Sequence, residues 1–394
     1  MEPLGLGLIG YGGFGRFCLD VYAAMPDIRV VAVSDVDKAR REEAARRFGV
    51  RPYADANNLL TAPDVNIVVI STPPHTHAPL SIAAARAGKH IFCEKPLALS
   101  LEEADTVIAT AAQHNVHITV NYVLRPNPLN RRLRALLCRG MLGTLLQMSL
   151  ENLATDESLK PDHWFWDPAQ SGGIWIEHGV HFFDLFGWLS GGQAEAIAAV
   201  ACTRPDGCQD RVWATVRYSN NVVATYHHAF TQPARFEQTA VRLACSRGYA
   251  VLRGWIPTRL VVEALLDDEG LEAFRRWAGV EIEIVERYTG GETAGWASGA
   301  VYRVTARARV ELTLPQGKQT VYREAIRAGM QDLIAAIREP RHTPEVTATD
   351  GRHSLAIAVA AIRASETGTW ETISYGGDPS NETATPSRKS DSQA

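Results

Sequence analysis

The sequence predicts an α/β protein of two domains. Residues 1–122 are expected to form a doubly wound parallel sheet, residues 123–375 an α+β domain on a mainly antiparallel sheet, and residues 376–394 a polar tail. Three observations carry this. Short apolar runs alternate with helical stretches through the first 122 residues. The first run opens directly onto Gly10, Gly12 and Gly15. Beyond 123 the pattern changes to successive segments in which apolar and polar residues alternate. Strands covered on both faces read as unbroken apolar runs, whereas a sheet covered on one face alternates. A chain of 394 residues exceeds what one core supports and suits two.

Taken in order, "LGLGLI" at 4–9 is a strand, and "RFCLDVYAAM" after the glycines is a helix. "RVVAVS" at 29–34, rich in β-branched residues, is a second strand ending at Asp35, followed by the charged surface helix "DKARREEAARRF". "VNIVVIS" at 65–71 is a third strand, stopped by Pro73 and Pro74, and "LSIAAARAG" is a helix with a Gly stop. "HIFCE" at 90–94 and "VHITVN" at 116–121 are the fourth and fifth strands. Between them lies the helix "LEEADTVIATAAQHN", with Ser100 expected as its N-cap. After 123 comes a crossover and a helix ending at Gly140. Strand segments follow at 144–153, 195–203, 211–219, 222–231, 239–245, 249–253, 258–265, 281–288 and 301–313, and helices at 321–338 and 348–367 close the fold. The tail "GGDPSNETATPSRKSDSQA" is polar and lacks aromatics, the composition of a disordered segment.

Composition excludes several classes. The net charge is −4, which gives no basic footprint for nucleic acid. No apolar run approaches the roughly 18 residues of a membrane span. The N-terminus enters a strand without a basic leader, so no signal peptide is expected. Six scattered cysteines without a CxxC are expected as free thiols of a reducing, cytoplasmic compartment.

The glycines carry more than the alternation does. Gly10, Gly12 and Gly15 form G-x-G-x-x-G between a strand and a helix, and Asp35 closes the next strand. Gly10 permits the tight turn, Gly12 lets the backbone approach a pyrophosphate, and Gly15 lets the helix pack on the sheet. The helix N-terminus, with Gly13 and Phe14, then offers free N–H groups to phosphate. Asp35 would accept from both ribose hydroxyls and repel a 2′-phosphate, which favours NAD. Lys38, Arg40 or Arg41 would be the groups to reach a 2′-phosphate if NADP were used. Ligands bind at strand ends in such sheets, so the turn Ser71-Thr72-Pro73, with His77, is expected beside the cofactor. Glu94 and Lys95, which end the fourth strand, are expected there too. Pro96 keeps Lys95 out of the α conformation.

A second group lies in "GGIWIEHGVHFFDLFGWL" at 172–189, which reads as one helix. Glu177, His181 and Asp184 at i, i+4 and i+7 share a face, and His178 falls one residue off it. His178 and His181 are three apart where zinc helices use four, so no metal is expected. His227-His228 sits in an alternating strand and reads as structural. The aromatic stretch "PDHWFWDP" precedes this helix, and Trp164 and Trp166 offer faces on which a polyol ring would stack.

With these residues in view, the chain resembles the Gfo/Idh/MocA oxidoreductases. The resemblance rests on "GLIGYGGFG", "VVAVSDVD", "VVISTPPHTH", "AGKHIFCEKPLALSLEEA" and "SGGIWIEHGVHFFDL", in the family's order and spacing. It implies a Rossmann domain followed by an open sheet that carries the substrate and often the oligomer contact, so a dimer or tetramer is expected. It implies that Lys95 does acid–base work beside the nicotinamide, that His181 is the catalytic His, and that Glu177 stands where the family has Asp. It implies that Arg125 lines the cleft. The physics suits Lys95. A desolvated Lys exchanges a proton near neutral pH and Arg does not, and this chain otherwise favours Arg. The implied function is hydride transfer between NAD(P) and a secondary alcohol of a sugar, inositol or related polyol. The alternatives are an NAD-using glycoside hydrolase of the same family and a non-catalytic dinucleotide-sensing regulator. The segment 266–300 fits the family poorly.

Overall fold

The computed structural model describes residues 2–376. The expected tail lies, from 377 onward, outside the described residues. Six strands form the first sheet: β1 (Leu4–Ile9), β2 (Ile28–Ser34), β3 (Arg51–Tyr53), β4 (Ile67–Ile70), β5 (His90–Cys93) and β6 (Ile118–Val120). They stand in the order 3-2-1-4-5-6, and every pairing is parallel. The connecting helices are α1 (Gly13–Tyr22), α2 (Lys38–Phe48), α3 (Ala56–Leu60), α4 (His77–Arg86) and α5 (Leu101–Gln113). Ser100 caps α5 as expected, in a reciprocal box with Glu103.

The sequence reading counted five strands here and missed β3 with the short helix after it. The strand is three residues long and contains Pro52, which cannot donate to a ladder. Pro is tolerated because β3 is the edge strand, paired only with β2.

The second sheet is larger. After α6 (Pro128–Cys138) the chain runs through β7 (Leu145–Thr155), α7 (Pro168–Ser171) and α8 (Val180–Ser190). Next come β8 (Ala194–Thr203), β9 (Gln209–Tyr218), β10 (Val223–Gln232), β11 (Gln238–Cys245), β12 (Gly248–Arg253) and β13 (Arg259–Leu266). Then follow α9 (Asp268–Ala278), β14 (Glu283–Arg287), β15 (Ala294–Ala297), β16 (Ala300–Arg303), β17 (Ala306–Thr313), α10 (Gly317–Arg338), α11 (Ala348–Thr367) and β18 (Glu371–Thr372). Ten of these strands form one sheet, in the order β14-β17-β13-β12-β11-β7-β10-β9-β8-β18. All its pairings are antiparallel except β7 with β10. The single strand expected at 301–313 is two. β16 pairs with β15 in a hairpin, and the ladder of β17 starts afresh at Ala306.

The inner face of the second sheet packs on α8 and α11, and α11 also touches α5 and β6. α10 returns to the first sheet, against α1, β5 and β6. The last two long helices therefore tie both sheets into one body and fix the cleft between them.

Candidate active site

Four loops leave the carboxyl edge of the first sheet in step, because the parallel ladder continues one residue beyond each strand. Gly10 N–H donates to Ser34 O at 2.8 Å, Ser71 N–H to Ile9 O at 2.8 Å, Glu94 N–H to Ile70 O at 2.9 Å, and Asn121 N–H to Cys93 O at 2.8 Å. These loop starts face a cavity of about 1310 Å³ whose opposite wall comes from the second sheet and its helices. Small-molecule sites run to about 1,000 Å³, so this one has room for a dinucleotide and a second ligand.

The glycine loop has the shape a pyrophosphate needs. Gly10 has φ +93°, and a side chain there would strike Ser71 O. A Cβ on Gly15 would stand 2.0 Å from Gly10 O, so only Gly lets α1 pack this closely. A Cβ on Gly12 would meet nothing within 4 Å, because it points into the open cavity. Gly12 caps α1 without a side-chain partner, which leaves the amides of the first turn free for an anion. Asp35 lies at the far end of the loop. Its Oδ2 accepts from Tyr11 N–H at 2.7 Å and its Oδ1 from Asp37 N–H at 2.8 Å. Each oxygen keeps a lone pair for a ribose hydroxyl. The residues present fit a dinucleotide. Phe14, Ser71, Thr72, Pro73 and Arg40 also line the cavity. Lys38 is paired outward with Glu42, and Arg41 is tied to the carbonyls of Asp35 and Val36.

His77 does not line the cavity, contrary to the sequence expectation. It is buried, with Nδ1 2.6 Å from Pro96 O and Nε2 2.8 Å from Thr72 O. Its ring staples two cavity-lining loops together from behind.

The opposite end of the cavity gathers the ionisable groups. Lys95 Nζ donates to Glu177 Oε1 at 2.5 Å and to Glu177 O at 2.7 Å. Glu94, the neighbour of Lys95 in sequence, accepts from Asn121 Nδ2 at 2.6 Å. Burial raises the Glu94 carboxyl to about 7, against the opposing pull of Asn121 and Lys95. His181 is buried, and burial followed by the charge on Lys95 holds its pKa well below the usual imidazole range. His181 Nδ1 is buried without a partner, which leaves Nε2 as the nitrogen toward the cavity.

The helix expected over 172–189 is interrupted. Residues Trp175–Gly179 form an i→i+5 turn before α8 begins at Val180. The wider turn brings Glu177 and His178 to the cavity together, with His181 beside them, and turns Asp184 elsewhere. Asp184, 1% exposed, takes both arms of Arg125. Arg125 also bonds Asp350 Oδ1 at 2.9 Å and Glu345 O at 2.8 Å. Every arm of the guanidinium is occupied, and Arg125 is not in the cavity wall, so the expectation that it lines the cleft is corrected. Of the two tryptophans, Trp164 lines the cavity and Trp166 does not. Trp166 packs edge-on against Phe165, lies under Arg204 and donates to Leu159 O.

Among the wall residues that sequence reasoning missed, four bear on the chemistry. Asn121 was within reach of the strand-end rule that found Ser71 and Glu94. His178 was set aside by assuming 3.6 residues per turn. Trp255, on the loop between β12 and β13, stacks on His178 with centroids 4.9 Å apart and meets His181 edge-on at 4.7 Å. Tyr322, on α10, packs against Phe14 and Phe17. Neither of these two had any local signal. The histidines form no metal-ligating group among the described residues, and His228 lies buried behind His178.

Comparison with known proteins agrees with this fold. The profile described as "Oxidoreductase family, NAD-binding Rossmann fold" matches residues 4–122, and the "GFO/IDH/MocA C-terminal domain" matches 130–251. The rhizopine catabolism protein MocA of Rhizobium meliloti is 28% identical over 365 residues, spanning 92% of this chain and 95% of that protein. The scyllo-inositol 2-dehydrogenase (NAD(+)) of Bacillus subtilis is 30% identical over half of this chain and 55% of its own length. Among solved structures, a levoglucosan dehydrogenase in complex with NADH and L-sorbose superposes with a TM-score of 0.76 at 23% identity. The match covers 95% of this chain and all of that one.

Proposed function

The chain belongs to the Gfo/Idh/MocA oxidoreductases, and from that premise we propose that it oxidises or forms a secondary alcohol on a sugar, an inositol or a related polyol, with Lys95 and His181 in the acid–base roles. The enzyme is an NAD-dependent dehydrogenase or reductase of CH–OH groups, in keeping with its named relatives. The observation that carries the assignment is one contact: Lys95, in the loop just past β5, is held by Glu177 across the same cavity that the glycine loop opens.

Bound NAD supplies the two-electron acceptor. The chain supplies the rest. Glu177 holds the Lys95 amine by two hydrogen bonds and so aims its lone pair at the hydroxyl proton. His181, kept uncharged by burial, faces the cavity through Nε2 and hydrogen-bonds the reacting oxygen. In the reverse direction Lys95 returns a proton to the new alkoxide. Trp164 and Trp255 supply apolar faces against which a ring's C–H side can lie. Glu177 touches Lys95 directly, which supports orienting Lys95 as its main role. No helix among the described residues is long and apolar enough to cross a membrane.

The test is absorbance at the reduced-nicotinamide band, with NAD and NADP offered separately across a panel of sugars and inositols. Wild type should reduce NAD with at least one panel member. Lys95→Ala should lose on the order of 10² to 10⁴ in kcat. Tight dinucleotide binding with no turnover on any panel member would sink the reading.

A further inference from the structure

Glu177 has two carboxylate oxygens with different fates. Oε1 is taken by Lys95 at 2.5 Å, while Oε2 stands 3.9 Å from His178 Nδ1. That separation is too long for a hydrogen bond. It is the separation that one oxygen bridges when it lies about 2.8 Å from each atom.

The His178 ring is held still. It stacks on Trp255 at 4.9 Å and is met edge-on by His228 at 5.3 Å and by Phe230 at 5.1 Å. Nε2 is buried in this aromatic nest with no hydrogen-bond partner, so Nδ1 is the nitrogen on the cavity side. Burial holds the ring's pKa at about 3, so at neutral pH it carries a single N–H. The carboxylate beside Nδ1 favours the tautomer with the proton there. The site thus presents a donor and an acceptor facing one gap, which suits a hydroxyl that accepts from His178 and donates to Glu177.

We propose that His178 reads a second substrate hydroxyl, on the carbon next to the reacting one, so that the enzyme selects vicinal diols. This rests on the dehydrogenase reading above. The reacting oxygen belongs at Lys95 and His181, the second at His178, and Glu177 is shared by both positions. The His178 and His181 ring centroids stand 6.0 Å apart, and Lys95 and His178 flank the same carboxylate, so the two hydroxyls they hold are close enough to sit on neighbouring carbons. His178 is therefore a specificity-determining contact, and Trp255 and His228 fix its ring.

The test has two arms. In the first, kcat/KM is measured for myo-inositol, scyllo-inositol and levoglucosan and for their monodeoxy analogues, in wild type, His178→Phe and His178→Asn. Wild type should prefer a parent diol over its deoxy analogue by on the order of tenfold to a hundredfold. His178→Phe should narrow that preference to within a few-fold, and His178→Asn should restore part of it. An unchanged preference in His178→Phe overturns the proposal. The second arm needs no turnover and no variant fold. With NADH bound, the ring ¹⁵N resonances of His178 are followed as each polyol is added, and binding is scored independently by nicotinamide fluorescence. The Nδ1 signal should keep a protonated-nitrogen shift and move on saturation. A polyol that binds without moving it overturns the role of His178 alone. If no polyol binds or turns over, the dehydrogenase reading falls first and this inference falls with it.

Discussion

Replacing Arg125 with Met separates the two roles that this residue was open to. In the structure its guanidinium gives two arms to Asp184, one contact to Asp350 and one to the carbonyl of Glu345. Asp184 is 1% exposed and Arg125 9%. Met fills much of the same volume but leaves the Asp184 carboxylate buried without a counter-charge. Removing one partner of a buried pair costs about 3–5 kcal/mol. Lys at 125 would keep the charge but lose the planar fork, and should cost roughly half as much. The assay is urea unfolding followed by tryptophan fluorescence. Met should lower the midpoint with little change in the denaturant slope. The double variant Arg125→Met with Asp184→Leu should recover much of the loss, because an apolar pair of matched volume replaces the ionic one. The reasoning fails if Arg125→Met loses less than about 1 kcal/mol while the KM for substrate rises tenfold or more. That outcome would return Arg125 to the cleft, where the sequence reading had it.

Other outcomes follow from the same geometry. Gly12→Ala should fold as wild type but bind NAD more weakly by calorimetry, because its Cβ enters the cavity. Gly15→Ala should lose about 1–3 kcal/mol of stability, because its Cβ meets a backbone carbonyl. Glu94 tests a pH dependence. Burial raises its pKa from 4.5 to about 7, so the folded state binds the extra proton between those values and stability falls as pH rises through them. Glu94→Gln keeps the acceptor for Asn121 and removes that penalty. It should exceed wild type in unfolding free energy by roughly 3 kcal/mol above pH 7, with the gap closing toward pH 5. A gap that widens toward acid pH would contradict the sign.

The legible part of this protein was the part set by short-range rules. The glycine spacing, the strand ends at Ser71 and Glu94, and the Ser100 cap depend on neighbours a few residues away, and each stands where the local pattern put it. The Pro-containing edge strand β3 escaped because three residues leave no period to detect. The face of the 172–189 segment escaped because a single i→i+5 turn breaks the 3.6-residue spacing on which the reading relied. The remaining misses were matters of partnership. Arg125, Trp166 and His77 are polar or aromatic residues at plausible positions, and nothing local separates a wall residue from a brace. Asp184 lies 59 residues from Arg125, and Asp350 a further 166 beyond Asp184. Trp255 and Tyr322 reach the cavity only because the second sheet and α10 fold back over the first. The sequence by itself determined the dinucleotide cradle and the Lys at its edge, since backbone conformation and strand termination are local. The tertiary structure decided which carboxylate holds that Lys and that His178 joins His181 in the cavity wall, since those are contacts between segments that meet only once the chain is packed.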